Sequence, residues 1–141
     1  QKTKARQMGW VDGRLGIIID GTGKDVAKID RQKKLLDQIG YETMMIFVNT
    51  SLETAQIRNK ERARTLPEKS VEQMWNGVQR NIGAFQQLFG SKHFIIVDNN
   101  DAGEDVFNKV YKRIRGLVTK KPTKIQARQW IANELKKKDR R

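Results

Sequence analysis

The chain has 141 residues, of which 37% are hydrophobic, and it contains no Cys. This length suits one domain, and the absence of any apolar run of about 18 residues argues against a membrane-spanning helix. The lack of Cys excludes disulfides and thiolate metal sites and, together with the lack of a signal peptide, predicts a cytoplasmic protein without a membrane partner. Because the chain begins with Gln1 rather than Met, we expect it to be trimmed or to be part of a longer product.

The formal net charge of +13 is concentrated at the two ends of the chain. Residues 1–14 hold four bases and one acid, residues 15–111 hold thirteen of each, and residues 112–141 hold twelve bases and two acids. Basic ends favour nucleic-acid partners, because Lys and Arg displace condensed counterions from phosphates, although a solvated tail is the alternative. The candidate nucleic-acid contacts lie in the C-terminal end and are Lys120, Lys121, Lys124, Arg128, Lys136, Lys137 and Lys138.

Three short apolar runs predict the strands of a sheet. Residues 1–13 are polar and basic and are predicted to be an arm or linker, and residues 15–20 then form an isoleucine-rich run that ends in Asp20. Similar runs follow at about 43–48 and 93–98. Strands that alternate with helices imply parallel pairing, so the sequence predicts an α/β chain with a parallel sheet. An acid at the carboxyl end of such a strand faces the crevice where open α/β sheets bind ligands.

Apolar residues that recur every three or four positions predict the helices. Gly40 and Gly90 are predicted to end two of them, and the Thr50–Glu53 segment has the pattern of a capping box that opens another. The predicted helices span about 25–39, 52 to the break before Pro67, 68–89, 102–118 and 123–137.

The segment Gly21-Thr22-Gly23-Lys24 resembles part of a phosphate-binding loop, in which glycines let backbone amides approach phosphate. The full pattern fails, because Ile18 stands where a glycine is needed and Asp25 stands where Ser or Thr is needed. We therefore interpret this segment as a turn from strand to helix.

Three arginines, Arg58, Arg62 and Arg64, lie near the end of the helix before Pro67. Arg58 and Arg62 share a helix face, where like charges repel unless an anion compensates them. Guanidinium groups at a junction of helix and loop suit a lid over transferring phosphates. The alternative is a solvated face balanced by Glu53 and Glu61.

Asn99 and Asn100 follow the last predicted strand, directly after Asp98. Their amide side chains could hydrogen-bond a base or a ribose, and ordinary helix capping is the alternative. The single histidine, His93, is assigned no catalytic role, and Trp75 is interpreted as a core residue.

With these residues placed, residues 15–111 resemble the C-terminal part of a P-loop kinase of the nucleoside-monophosphate kinase and zeta-toxin superfamily, as found in bacteriophage genomes. The resemblance lies in Leu15–Gly23, Phe47–Arg64 and Ile95–Asn100 with its helix. It implies a three-layer α/β fold with a parallel sheet, here partial, and the transfer of a phosphoryl group from ATP, with Mg²⁺, to a nucleotide, a polynucleotide or another hydroxyl or phosphate acceptor. If the chain is phage-encoded, its compartment is the host cytoplasm.

The resemblance also implies roles for individual residues. Asp20 would orient magnesium through water or orient an acceptor hydroxyl, and Thr22 would line the acceptor pocket. The remaining implied site residues are Arg58, Arg62 and Arg64 as lid arginines and Asn99 and Asn100 as the border of the nucleotide base.

The sequence departs from this family in one respect, because no Walker A loop precedes Leu15. The family's sheet order is 2-3-1-4-5, so the predicted strands would be the third, fourth and fifth. We expect that either an N-terminal segment outside this sequence supplies the loop, or the strands pair directly and the nucleotide site is lost. The chain alone is predicted to be inactive.

We divide the chain into a basic arm at 1–14, a kinase-like core at 15–119 and a basic helical extension at 120–141. The alternative function is a non-catalytic nucleic-acid-binding or phage assembly module on a kinase-like scaffold, since a fold alone does not define activity. A third hypothesis is that Trp130, Ile131 and Leu135 dock the last helix on a protein partner.

Overall fold

A computed structural model describes residues 2–101 and 103–140. It contains seven helices and two strands in those residues. In chain order they are α1 (Lys2–Asp12), α2 (Val26–Gln38), β1 (Met45–Asn49), α3 (Leu52–Lys60), α4 (Glu68–Arg80), α5 (Ile82–Phe89), β2 (Phe94–Asp98), α6 (Glu104–Val118) and α7 (Ile125–Lys138). Ala102, the first residue of the helix predicted over 102–118, lies outside the described residues.

The two strands form a parallel sheet in which Met45 pairs with Phe94 and Asn49 with Asp98. The predicted α/β class and the parallel pairing of these two runs are therefore confirmed. Parallel strands require a crossover between them, and here α3, α4 and α5 make that connection. Both strands consequently end at the same edge of the sheet.

The core lies on one face of this sheet and is built around three phenylalanines. Phe47 of β1, Phe94 of β2 and Phe85 of α5 are at most 6% exposed, and the Phe47 ring centroid lies 6.3 Å from each of the other two. Alternation along β1 turns Ile46 and Val48 to the other face, where they are 39% and 59% exposed. On that other face Ile95 of β2 is only 3% exposed, so it is the β1 half of the face that lies open to solvent.

The first predicted strand is wrong, because residues 15–20 form no strand. In the described part of the chain β1 pairs only with β2, so the isoleucine run has no neighbouring strand with which to share backbone hydrogen bonds. Ile18 is 97% exposed and Ile19 is 46% exposed. The apolar run therefore stays irregular and leaves apolar surface in solvent.

The helix predicted over 68–89 is two helices, α4 and α5, that meet at Asn81. Asn81 Nδ2 donates to the carbonyl oxygens of Gly23 at 3.0 Å and Lys24 at 3.2 Å. Asparagine is a weak helix former, and here its amide serves a tertiary contact. The break thus fastens the segment that precedes α2 to the helical layer.

Residues 1–13, predicted to be an arm or linker, contain helix α1, whose end lies beside the last helix. The Arg14 guanidinium stacks over the Trp130 ring of α7 at 5.6 Å, and the Tyr41 hydroxyl donates to the Leu15 carbonyl at 2.9 Å. Gly40 has φ +100°, and a Cβ on it would lie 2.6 Å from the Ala127 nitrogen. Only glycine permits this approach of α7.

None of the helices in residues 2–101 and 103–140 combines the length and apolar character needed to cross a bilayer.

Candidate functional site

The carboxyl edge of the sheet consists of residues 49–51 after β1 and residues 98–100 after β2. The Asn99 amide donates to the Asn49 carbonyl at 2.8 Å, and the Ser51 amide donates to Asn100 Oδ1 at 2.7 Å. Asp98 Oδ1 accepts from both the backbone and the side-chain nitrogen of Asn100. These contacts join the two loops at the edge where open parallel sheets bind ligands.

The side-chain oxygen and nitrogen of Asn100 both form hydrogen bonds within the protein at this edge. This contact network favours a structural role for Asn100. Asn99 contributes its backbone amide and carbonyl to the same edge, and the role predicted for its side chain stays a prediction.

Arg58 lies at the carboxyl edge although it belongs to α3. Its Nη2 donates to the carbonyl oxygens of Asn99 at 2.7 Å and Asn100 at 3.1 Å. Hydrogen bonds from a charged donor are stronger than neutral ones, so this half-buried guanidinium fixes the loop after β2 against α3. The structure therefore brings Arg58, Asn99 and Asn100 together at the carboxyl edge, and the roles that the resemblance implies for them stay predictions.

Arg62 and Arg64 lie on an exposed loop between α3 and α4 that Asn59 closes. Asn59 is only 6% exposed, and its amide makes two hydrogen bonds to Leu66: Nδ2 donates to the carbonyl at 2.8 Å, and Oδ1 accepts from the backbone amide at 3.0 Å. A buried amide with both groups satisfied holds its partners firmly. The two arginines consequently extend into solvent from a loop whose ends are fixed.

Two further side chains hold the end of β1. Trp75 Nε1 donates to the Thr50 carbonyl at 2.8 Å, and Gln79 Nε2 donates to Asn49 Oδ1 at 2.6 Å. Both residues lie on α4, so that helix supports the carboxyl edge from the side. Trp75 is half-buried rather than a fully buried core residue.

Asp20 and Thr22 are exposed and lie before α2, in the irregular segment. Among the hydrogen bonds and ion pairs of the described residues, none joins Asp20 to Arg58, Arg62 or Arg64. The neighbouring Gly23 is buried with φ +68°, and its Cα faces the rings of Phe47 and Phe85. Gly23 is therefore a core-packing residue, and Asp20 and Thr22 flank it on the solvent side.

Sequence reasoning missed Asn59, Gln79 and Asn81. Each is an asparagine or glutamine inside a predicted helix, where such residues are common and carry no periodic signal. The one available signal is the low helix propensity of asparagine, which favours positions where its amide can bond backbone groups. The partners lie 7 to 58 positions away and only the fold brings them near.

The basic C-terminal extension is anchored by one of the residues predicted to contact nucleic acid. Lys124 Nζ binds Asp37 Oδ1 at 2.7 Å and also the Tyr41 carbonyl, so its charge is used inside the protein. Lys137 pairs with Glu134 at 2.6 Å, and Arg128 Nε donates to the Pro122 carbonyl at 3.3 Å. The exposed remainder of the predicted set is Lys120, Lys121, Lys136 and Lys138.

Two carboxylates hold this extension, and their surroundings shift their ionisation. Burial acts to raise the pKa of Asp37, but hydrogen bonds from Lys124, Lys33 and Thr43 together lower it below its ordinary value. Hydrogen bonds from the hydroxyl and the backbone amide of Thr123 lower the pKa of Glu42. Both groups are therefore more acidic folded than unfolded.

Comparison with known proteins gives one match. A family model described as Zeta toxin matches residues 4–110, well over half of the chain. No curated protein and no solved structure matches the chain. The match covers the carboxyl edge, Arg58, the arginine loop and the two strands, and it confirms the resemblance to P-loop kinases. The chain belongs to the Zeta toxin family, which is P-loop kinase-like.

Proposed function

We propose that this chain is the C-terminal part of an ATP-dependent kinase, the part that neutralises phosphate charge and borders the nucleotide. The observation that carries the proposal is the contact of Arg58 with the carbonyls of Asn99 and Asn100. Through it the arginine-bearing helix is attached to the carboxyl edge of a parallel sheet, the edge at which such sheets handle phosphates. The acceptor group is a hydroxyl or a phosphate.

Some residues of the proposed site hold its loops in place, and others contact phosphate. Arg58 positions the loop after β2, and Asn59 holds the loop that carries Arg62 and Arg64. These two exposed guanidinium groups present paired donors, which suit the oxygens of a transferring phosphoryl group. Asp20 orients the acceptor hydroxyl, and Thr22 lines the acceptor side.

The residues of this chain supply only part of what is needed to bind ATP and Mg²⁺. Magnesium in kinases is held by one or two carboxylates together with substrate phosphates, and the exposed Asp20 is the carboxylate that would supply such a ligand. The chain between Gln1 and Arg141 contains no complete Gly-x-x-x-x-Gly-Lys-Ser/Thr segment. We therefore propose that this chain alone transfers no phosphoryl group.

The test measures ATP binding and ATP turnover by the 141-residue chain. We expect no hydrolysis of ATP labelled at its γ-phosphate, and binding that weakens by about tenfold in the double variant Arg62→Ala/Arg64→Ala, because two exposed ion pairs contribute up to about 1 kcal/mol each. The matched control is Arg31→Ala/Arg80→Ala, which removes the same charge from exposed positions on α2 and α4.

Two results would contradict the proposal. Equal loss of ATP binding in the control and the test variant would show that only net charge matters. Turnover by the wild-type chain that Arg62→Ala abolishes would show that the chain is a complete enzyme.

A further inference from the structure

Helix α6 exposes two aromatic rings to solvent. Phe107 is 65% exposed and Tyr111 is 61% exposed, which makes them the two most exposed aromatic side chains in the described residues. Phe47, Phe85 and Phe94, by contrast, are at most 6% exposed. A single exposed apolar residue is ordinary on a protein surface, but two neighbouring aromatic rings indicate contact with a partner.

The two rings lie on the same side of α6. They are four positions apart, which places one above the other about 6 Å along the helix axis. Val118 lies on the same side and is 67% exposed. We call Phe107, Tyr111 and Val118 the α6 stripe. It lies beside the half-buried face of the helix, formed by Val106, Val110, Ile114 and Leu117.

Positive charge lies beside the C-terminal half of the stripe at Arg115, one turn after Tyr111 on the same side, and Lys112 lies about 100° around the helix from Tyr111. Lys112 and Arg115 are exposed, and residues 112–141 together hold twelve bases and two acids. The acids of α6, Glu104 and Asp105, are confined to its first turn, where they favour the helix dipole. The stripe therefore runs from an acidic helix start into the most basic part of the chain.

We propose that the α6 stripe binds single-stranded nucleic acid. Phe107 and Tyr111 stack on successive bases, and Lys112 and Arg115 bind the phosphates of the same strand. Aromatic rings beside basic side chains form the sequence-tolerant platform on which proteins hold single strands, because every base has a face that can stack. This inference concerns binding only and does not depend on the proposed kinase activity.

Duplex DNA fits this surface less well, since its bases are stacked inside and it offers phosphates but few base faces. A second class of anionic surface, a lipid membrane, would attract the same lysines and aromatic rings. The experiment separates these cases.

The test measures fluorescence anisotropy of a labelled 15-nucleotide oligothymidylate titrated with the 141-residue chain. We expect Phe107→Ala/Tyr111→Ala to weaken binding at least about tenfold, since each stacked base contributes roughly 1 to 3 kcal/mol. Phe107→Trp/Tyr111→Phe should keep the affinity within about twofold, because both rings remain. The matched control, Leu35→Ala, removes a side chain that is 64% exposed on α2.

The salt dependence of oligonucleotide binding tests whether Lys112 and Arg115 bind phosphates. Lys112→Ala/Arg115→Ala should reduce the slope of log affinity against log salt by about 1.4, which corresponds to two phosphate contacts with a single strand. Lys69→Ala/Arg80→Ala removes two exposed bases from α4 and supplies the control for net charge. Circular dichroism establishes that each variant is folded.

Four outcomes would overturn the inference. The first three are an affinity of Phe107→Ala/Tyr111→Ala within twofold of wild type, duplex DNA bound as tightly as the single strand, and binding to vesicles of anionic lipid with none to the oligonucleotide. Loss of self-association, rather than of oligonucleotide binding, in the Phe107→Ala/Tyr111→Ala variant would likewise replace nucleic acid with a second copy of the chain.

Discussion

Asn81 donates its side-chain amide to the backbone carbonyl of Gly23 at 3.0 Å, across 58 positions of sequence. The same amide reaches the Lys24 carbonyl at 3.2 Å. Gly23 in turn packs its Cα toward Phe47 and Phe85. One side chain at the break between α4 and α5 therefore holds the glycine turn before α2 against the core.

Replacing Asn81 with Ala should lower the free energy of unfolding by about 1 to 2 kcal/mol, because two carbonyls at the surface of the core lose their donor. Gly23→Ala should cost a comparable roughly 1 to 2 kcal/mol through its positive φ alone. The added Cβ would lie 3.5 Å from the Phe47 ring, which is an ordinary contact. Urea denaturation measures both changes. Asn76→Ala, at an exposed position on α4, is the control, and a loss in it as large as that in Asn81→Ala would contradict the assigned contact.

Asn59→Ala should release the loop that carries Arg62 and Arg64. Both hydrogen bonds to Leu66 are lost from a side chain that is 6% exposed, so we expect destabilisation of roughly 1 to 3 kcal/mol. Trypsin should cleave after Arg62 and Arg64 faster, because cleavage requires local opening of the loop. The cleavage rate is measured by mass spectrometry under native conditions. Asn133→Ala, exposed on α7, is the control. An unchanged rate in Asn59→Ala would show that the loop is held by other contacts.

The contact of α7 with the core should be lost in acid. The pKa values of Asp37 and Glu42 are lower in the folded protein than their ordinary values of 3.8 and 4.5. Their stabilisation is therefore complete above those ordinary values and falls as the pH drops through the lower, folded pKa values. We expect the free energy of unfolding to fall below about pH 5, with a shallower slope in Asp37→Asn/Glu42→Gln.

The same experiment reports the direct effect of the Asp37 contact at neutral pH. Asp37→Asn leaves Lys124 without its carboxylate partner and should cost roughly 1 to 3 kcal/mol at pH 7. Glu72→Gln, an exposed acid on α4, is the control for net charge. A wild-type acid slope retained in the double variant would assign the pH dependence to other carboxylates.

Local signals predicted several element ends correctly. Asp25 caps α2 by accepting from the Lys28 amide, and Gly90 ends α5 with φ +72°, as its position after an apolar helix indicated. The start of α3 at residue 52 was predicted correctly, but its capping residue was predicted one position early, because Ser51 rather than Thr50 provides the capping oxygen. These features depend on residues within one helical turn of each other, which a sequence displays directly.

The candidate site was predicted in part. Two parallel strands must end on the same side, which places residues 49–51 beside 98–100, whereas no sequence pattern indicated that Arg58 of α3 contacts this edge. The different roles of the arginines could not be predicted from the sequence. Arg58 binds backbone carbonyls whereas Arg62 and Arg64 extend into solvent, and only the surroundings of each side chain distinguish these roles.

The sequence by itself determined the α/β class, the parallel pairing of β1 with β2 and the uneven charge, since these follow from residue type and short-range period. Only the tertiary structure decided that the isoleucine run before Asp20 is no strand and that Asn81 divides a continuous helical pattern. The physical reason is the same in both cases. A strand needs a neighbour for its backbone groups, and the Asn81 side-chain amide binds carbonyls that only the fold brings within reach, so each outcome depends on a partner distant in the chain.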